Sequence, residues 1–302
     1  MAIGTGNFAK LLWPGLNEIY GIKYNEHKKE YPEIFDFYKS TKAFEEDMSA
    51  TGFSMAPIIR QGAGVTYEDQ SQGFINRYTA VKYGKGFIIT IEMYEDNQYK
   101  LPMINRATAL AFSLNQTKET VAANILNRGF NSDYVYGDGV ELLADDHPNV
   151  SGGTWSNELT TASDLNQDAL EQACIDIAKF ENDKGLKVNL KPVKLIIPSN
   201  LMFDAEKLLM SPLDPESANN AVNAIRSMGK IPQGAFVNHY LTDEDAWFIK
   251  TDCPSGLKHF ERKADTFKED NDFDTDNAKF KATGRYSFGC SDAMAIFGSP
   301  GS

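Results

Sequence analysis

The sequence predicts an α+β chain built from one long helix, a polar β region and a compact alternating unit. Residues 101–128 carry apolar side chains at i+3/i+4 steps (Ile104, Ala107, Ala111, Leu114, Val121, Ile125), with Lys118 the one charged interruption. Residues 53–95 read as extended, punctuated by Gly62, Gly64, Gly73, Gly84 and Gly86. Residues 160–250 alternate helix and strand signals, the pattern of a compact α/β unit. No internal repeat or low-complexity linker cuts the 302 residues into separable domains, and a chain this long buries a sizeable core without staples.

In chain order, residues 1–50 mix charge with the isolated aromatics Trp13, Tyr20, Tyr24, Tyr31, Phe35, Phe37, Tyr38 and Phe44, interrupted by Pro14 and Pro32. A short helix is expected from about Glu33 to Met48. The segment has the character of an arm that packs on something else, because exposed aromatic surface must be covered. In the extended region Ile75, Arg77, Thr79, Val81 and Tyr83 alternate with Phe74, Asn76, Tyr78, Ala80 and Lys82, and neither set is the apolar one. Strands without a clean buried face form a protruding ribbon or meet a partner on both faces. A turn is expected at Gly84-Lys85-Gly86, returning into the β-rich run Phe87–Ile91.

Pro102 stands where a first-turn proline is tolerated, Gly129 ends the long helix, and the strut spans about 40 Å at 1.5 Å per residue. Residues 130–160 are rich in loop signals. A helix at about 164–183 follows, capped by Ser163 or Asp164, with Leu165, Ala169, Ala173, Ile177 and Phe180 inward and Gly185 as its stop. Val193–Pro198 reads as a short apolar strand. Helices are expected at about 200–210 and 216–228, and strands at 235–241, 246–250, 256–263 and 278–297.

The net charge of −12 argues against a protein that grips nucleic acid, which needs a cationic footprint. Cys174, Cys253 and Cys290 are odd in number and widely spaced, with no CxxC or Cys/His cluster, so they read as reduced core residues of a cytosolic protein. The N-terminus lacks the n- and h-regions of a signal peptide, and no apolar run approaches the ~18 residues of a membrane span. The protein is expected to be soluble at synthesis.

Motifs for chemistry are weak. Gly137-Asp138-Gly139 is too short for a phosphate fingerprint and reads as a turn. Asp145-Asp146-His147 has no second His at ligand spacing and reads as a loop before Pro148. Counting from Asp270, acids fall at positions 1, 3, 5 and 7 of a calcium-type loop, but position 6 is Thr275 and position 12 is Lys281, so the EF-hand reading fails. A solvated acidic loop is the default there, with weak cation binding left open. No GxSxG, HExxH or supported Ser-x-x-Lys set is present. No catalytic, cofactor-binding or metal residue is assigned, and the chain is not expected to be an enzyme. An arm, a two-sided ribbon and a strut helix are instead the parts of a subunit built for assembly.

The stretches Leu12-Trp-Pro-Gly-Leu16, Gly86–Tyr99, Phe130-Asn-Ser-Asp133 with Asp145-Asp-His-Pro148, and Gly152–Asn157 resemble the major capsid proteins of tailed bacteriophages, in the group with Mu-like major head subunits. The resemblance covers nearly the whole chain through arrangement and texture rather than one diagnostic motif. It implies the Hong Kong 97-type capsid fold: an N-terminal arm at 1–53, an extended β loop at 54–92, an axial α/β domain at 160–250, and a peripheral domain at 93–159 and 251–302 with its spine helix at about 101–129. It also implies an icosahedral shell of hexamers and pentamers around double-stranded DNA, assembled in the host cytoplasm and ending as the virion capsid. A portal, a decoration protein and a separate scaffolding protein are the implied partners, the last because Met1 leads almost directly into the arm. Lys82 and Lys85 lie where some members form an isopeptide bond, but no local motif supports one here.

Within that reading, Arg60, Glu68, Asp69, Arg77 and Lys82 of the ribbon are expected to make ion pairs between subunits, and Trp13 and Tyr20 of the arm to make subunit contacts. An acidic shell would avoid a tight grip on the packaged genome. An encapsulin-type nanocompartment shell, which shares the fold, and an α/β enzyme with an unrecognised site are the alternatives.

Overall fold

A computed structural model of the chain describes residues 17–90, 92–93, 100–213, 222–272, 275 and 277–302. A helix over 17–26 (α1) leads to a 3₁₀ turn at Tyr31–Glu33, then β1 (Asp36–Lys39), β2 (Phe44–Ala50), β3 (Gln72–Thr79) and β4 (Val81–Ile89). The long helix α2 runs over Lys100–Asn127. A two-residue pair, β5 (His147–Pro148) and β6 (Thr154–Trp155), precedes α3 (Gln167–Ala178), β7 (Pro192–Ile197), α4 (Met202–Met210), α5 (Ala224–Met228), β8 (Ala235–Val237) and β9 (Trp247–Thr251). The long strands β10 (Leu257–Asn271) and β11 (Ala278–Cys290) and the short β12 (Ile296–Ser299) complete the chain.

Two four-stranded sheets organise these elements. One has the order β1-β10-β11-β4 and carries α2 against its face; the other has the order β12-β9-β7-β8 and is covered by α3 and α4. Among the described residues β2 and β3 pair only with each other, as an antiparallel ribbon running from Phe44 opposite Thr79 to Ala50 opposite Gln72.

The apolar side chains gather in three clusters. In the first, Leu165, Ala169, Ala173, Ile177 and Phe180 of the α3 region pack on Leu195, Ile197 and Ile249 of the second sheet. In the second, Tyr31, Ile34 and Phe35 of the N-terminal segment meet Ala122 and Leu126 of α2 and Phe248 and Ile296 of the second sheet. In the third, Ala107, Leu110, Ala111 and Leu114 of α2 lie on Phe267 and Phe280 of the β10–β11 hairpin, with Tyr20 stacked on Phe267 at 4.9 Å. Burying one such side chain stabilises the fold by roughly 1.5–3 kcal/mol.

Several sequence expectations change. The helix over Glu33–Met48 is absent: after the 3₁₀ turn the chain extends, and β1 joins β10 in parallel register, Phe37 opposite His259. Aromatic residues such as Phe37 and Tyr38 fit a strand as soon as a ladder partner is offered. The turn at Gly84-Lys85-Gly86 is also absent, because β4 runs straight through it along β11, Gly86 opposite Lys281. The two glycines serve close approach: a Cβ on Gly84 would strike Thr283, and one on Gly86 the Phe280 carbonyl. β4 thus belongs to the first sheet and not to a strand pair with β3. Helix α3 starts at Asn166, whose side chain accepts the Ala169 N–H at 2.7 Å, rather than at Ser163 or Asp164. It ends at Ala178, before Gly185. Of the helix expected at 216–228, α5 covers Ala224–Met228, and 216–221 lies outside the described residues. The acidic stretch from Asp265 is largely strand, since β10 continues to Asn271, while 273, 274 and 276 lie outside the described residues.

The buried face of α2 differs from the expected stripe as well. Ile104 is exposed and Val121 and Ile125 are half-buried, whereas Asn115, Lys118 and Glu119 are buried. Their polar groups clasp the N-terminal segment and the sheet. The Asn115 side chain donates to the Tyr24 carbonyl at 2.8 Å, and the two Glu119 carboxylate oxygens accept the Glu30 and Tyr31 N–H groups, each at 2.9 Å. Lys118 pairs with Glu261 at 3.3 Å and lies over the Tyr31 and Tyr286 rings. Burial raises the Glu119 pKa despite these two hydrogen bonds.

Candidate assembly surfaces

The ribbon of β2 and β3 leaves the body at a partly buried polar hub. Lys258 of β10 donates to Asp47 of β2 at 2.7 Å, Ser291 donates to the same carboxylate, and the Tyr78 hydroxyl of β3 bonds the Ser291 hydroxyl. Burial opposes ionisation of Asp47, but the Lys258 and Ser291 hydrogen bonds prevail and hold its carboxyl below the usual carboxylate range. The Asn76 amide donates to the Ser291 carbonyl at 3.0 Å, and its oxygen accepts the Gly137 N–H at 2.8 Å. Side chains at alternate positions of β3, Asn76 and Tyr78, therefore face the body, and this fixes the ribbon's register at its root.

On the other face of the same stretch, Arg77 pairs with Glu46 at 3.4 Å across the ribbon and lies 3.7 Å over the Phe44 ring. Beyond the ladder, Thr51 and Ser71 bond each other through backbone and side chain. Glu68 then accepts both the Ser54 N–H at 2.9 Å and the Ser54 hydroxyl at 2.7 Å. Residues 55–67 form the tip, and its apolar side chains stand in solvent: Met55 is 77% exposed, Ile58 96% and Tyr67 93%. Soluble monomers rarely display such a patch without a partner for it.

The residues expected to meet neighbours are distributed unevenly over this geometry. Glu68 is paired inside its own chain, with Lys184 at 3.2 Å, and the Ser54 hydrogen bonds together with that ammonium hold its carboxyl below the usual range. Arg77 is likewise engaged with Glu46. Arg60, whose carbonyl accepts the Ala63 N–H in the tip turn, and Asp69 are exposed on the ribbon, while Lys82 is exposed on β4, in the first sheet. Tyr20 is buried within the subunit against Phe267, with burial and the nearby Asp265 carboxylate pushing its phenol pKa up. Trp13 lies outside the described residues. Sequence reasoning missed the hub. Asp47, Lys258 and Ser291 lie more than two hundred positions apart at the extremes, and no spacing rule joins them.

The short motifs resolve as architecture. His147 is buried between Asp138, at 2.7 Å from Nδ1, and the Asn157 side chain, at 3.1 Å from Nε2, with Trp155 stacked at 4.7 Å. Gly139 takes φ +91° in the expected turn. Cys174, Cys253 and Cys290 are free thiols whose pKa values burial pushes up, Cys174 to about 11. Among the described residues no group of three or more His, Cys, Asp or Glu side chains is placed to hold a metal ion, and no helix is long and apolar enough to cross a membrane.

Comparison with known proteins bears on this arrangement. Curated protein sequences give no match. Among solved structures the fold is similar to the mature capsid of bacteriophage PhiM1, with a TM-score of 0.58 and 11% identity, covering 90% of this chain and 87% of that one. It is similar also to the virus-like particle of Pyrococcus furiosus, with a TM-score of 0.54, 15% identity and coverage of 95% and 98%. A structure from Mycobacterium phage Che8 matches with a TM-score of 0.50, 14% identity and coverage of 93% and 92%. The ribbon, long helix and two sheets are those of the Hong Kong 97-type fold. The profile of the phage capsid protein family matches residues 75–298, from the ribbon's second strand through β12: the chain belongs to the phage capsid protein family.

Proposed function

We propose that this capsid protein is the major head subunit of a tailed phage, closing as hexamers and pentamers into an icosahedral shell around double-stranded DNA. The carrying observation is the ribbon tip, where Met55, Ile58 and Tyr67 stand exposed beyond the end of the β2–β3 ladder, with no described residue covering them. A second copy of the chain supplies the missing cover. In this reading β2–β3 and the tip are the extended loop, α2 is the spine, 160–250 the axial unit, and the β1-β10-β11-β4 sheet with 130–159 the peripheral unit. Arg60 and Asp69 make rim contacts between subunits. The net charge of −12 keeps the shell from gripping the genome. A portal and a separate scaffolding protein complete the assembly in the host cytoplasm, and the Mu-like grouping rests on the sequence stretches alone. The role is structural, with no reaction assigned to any residue.

Electron microscopy of the purified full-length chain tests this reading, with closed shells of uniform size expected and soluble monomers at all concentrations overturning it. The likeness to the virus-like particle of Pyrococcus furiosus favours one second reading, a nanocompartment shell that encloses protein. Particles isolated from the native source, digested and analysed for nucleic acid and for protein cargo, separate the two.

A further inference from the structure

Among the described residues, one ion pair ties the distal half of the ribbon to its own subunit. The β2–β3 ladder ends at Ala50 opposite Gln72, and past Thr51 and Ser71 the two arms of the ribbon are joined by the Ser54–Glu68 hydrogen bonds. Glu68 also reaches Lys184, which stands on the turn between α3 and β7. That turn is a firm platform. The Asn182 side-chain oxygen accepts the Lys184 and Leu186 N–H groups at 3.0 and 2.9 Å, and Asp183 accepts the Val150 N–H at 3.0 Å. The ribbon lies close enough here that a Cβ on Gly52 would strike the Asn182 amide. Glu68 thus has two jobs: it staples the arms of the ribbon and moors the pair to the axial unit.

The two moorings of the ribbon differ in kind. At the root, the Lys258 side chain is only 9% exposed and Asp47, 31% exposed, accepts a second hydrogen bond from Ser291, so breaking that pair strands the Lys258 ammonium in the interior. At the outer site both partners are partly in water, with side-chain exposures of 27% and 30%. Such a pair is weak and screened by salt. The root therefore sets the direction of the ribbon, and the outer pair opens without disturbing the core.

We propose that the Glu68–Lys184 ion pair is a releasable latch that parks the ribbon tip against its own axial unit until a second copy of the chain takes up the exposed apolar side chains. The second-copy clause rests on the shell-forming function proposed above; the latch itself does not. The tip is parked with its apolar surface outward, so a neighbour can engage Met55, Ile58 and Tyr67 before the latch opens.

Hydrogen exchange on the full-length chain, dilute enough to be monomeric, tests the latch directly. Lys184→Met should speed exchange over 53–70 about two- to fivefold, the range for a partly exposed pair. Lys184→Glu should raise it further through repulsion with Glu68, and Lys184→Arg should leave it unchanged. Amides of β2 and β3 should not respond to any of the three, and added salt should move the wild type toward Lys184→Met. Equal exchange over 53–70 in Lys184→Glu and wild type overturns the latch. Assembly followed by light scattering tests its purpose: Lys184→Met should nucleate shells at a lower subunit concentration. Faster exchange with unchanged nucleation would overturn the gating role. A wild type that forms no shells, with the exchange pattern as expected, would overturn the shell reading and leave the latch standing.

Discussion

The β10–β11 hairpin and the β2–β3 ribbon are both antiparallel strand pairs, and they end in opposite circumstances. β10 and β11 have β1 and β4 on their outer edges and α2 on one face, with Phe267 and Phe280 stacked at 6.0 Å beneath the helix. Among the described residues β2 and β3 have no strand on either outer edge, and their tip is in solvent. An isolated two-stranded pair is marginal in water. The hairpin is therefore completed by its own chain, while the ribbon is specified at its root by the Asp47–Lys258–Ser291 hub and left unfinished at its end. Polar bonds aim the ribbon; apolar burial holds the hairpin.

The largest expected effect comes from breaking the hairpin's core. Phe280→Ala should cost about 3–5 kcal/mol of subunit stability, seen as a lower midpoint in chemical denaturation, whereas Ile58→Ala at the tip should stay within about 0.5 kcal/mol of wild type and reduce shell yield instead. Equal destabilisation by the two would erase the distinction.

An effect of comparable size is tied to pH. His259 on β10 is fully buried, stacked on Phe288 at 4.3 Å and edge-on to Tyr31 at 5.1 Å, and neither ring nitrogen has a hydrogen-bond partner. Burial, reinforced by the Lys118 and Lys29 ammonium groups, lowers its pKa from 6.5 to about 3. The native state then holds His259 neutral where the unfolded chain protonates it, so the unfolded state binds more protons between those two values. Stability contributed at neutral pH is lost as pH falls below about 6.5, by up to about 1.4 kcal/mol per unit until pH 3. His259→Phe should flatten that slope in urea titrations run at successive pH values; an unchanged slope would assign the acid sensitivity elsewhere.

Gly86→Val tests the close approach of β4 to β11. A side chain there meets the Phe280 carbonyl, so a loss of about 1–3 kcal/mol is expected from overpacking, read by thermal unfolding. Tolerance of valine would show that the strands separate cheaply. At the small end, Arg77→Ala on the ribbon removes an exposed ion pair and a ring contact, and should cost about 1 kcal/mol or less. A larger loss in a denaturant titration would mean that the ribbon holds more of the subunit's stability than its open edges suggest.

How much of this was legible in the sequence follows from the range of each interaction. The inward positions of α3, Ala169, Ala173 and Ile177, are buried as their spacing predicts, because helical period and burial are local, and Leu165 and Phe180 are buried just beyond its two ends. The polar character of β3 was visible as well, since neither alternating set from Phe74 to Thr79 is apolar, but its inward side, with Tyr78 buried, and the place of Val81–Tyr83 in the first sheet were not. The strand Phe37–Tyr38, the straight run of β4 through Gly84 and Gly86, and the buried Asn115, Lys118 and Glu119 were not visible. Each depends on a partner far along the chain: β10 for β1, β11 for β4, the Glu30–Tyr31 backbone for Glu119. The same holds for Glu68, which reads as a free ribbon charge until the turn at Lys184 is brought beside it.

By itself the sequence determined the composition of the assembly parts: a long amphipathic strut, a compact α/β unit, a ribbon too polar to fold inward, and a net charge of −12 that disfavours a hold on nucleic acid. Those properties reside in residue type and local period, which no tertiary contact alters. Only the tertiary structure decided which charges are spent inside the subunit and which stay on its surface. Pairing at 3 Å is a property of distance, and distance between Asp47 and Lys258, or between Glu68 and Lys184, exists only once the chain has folded.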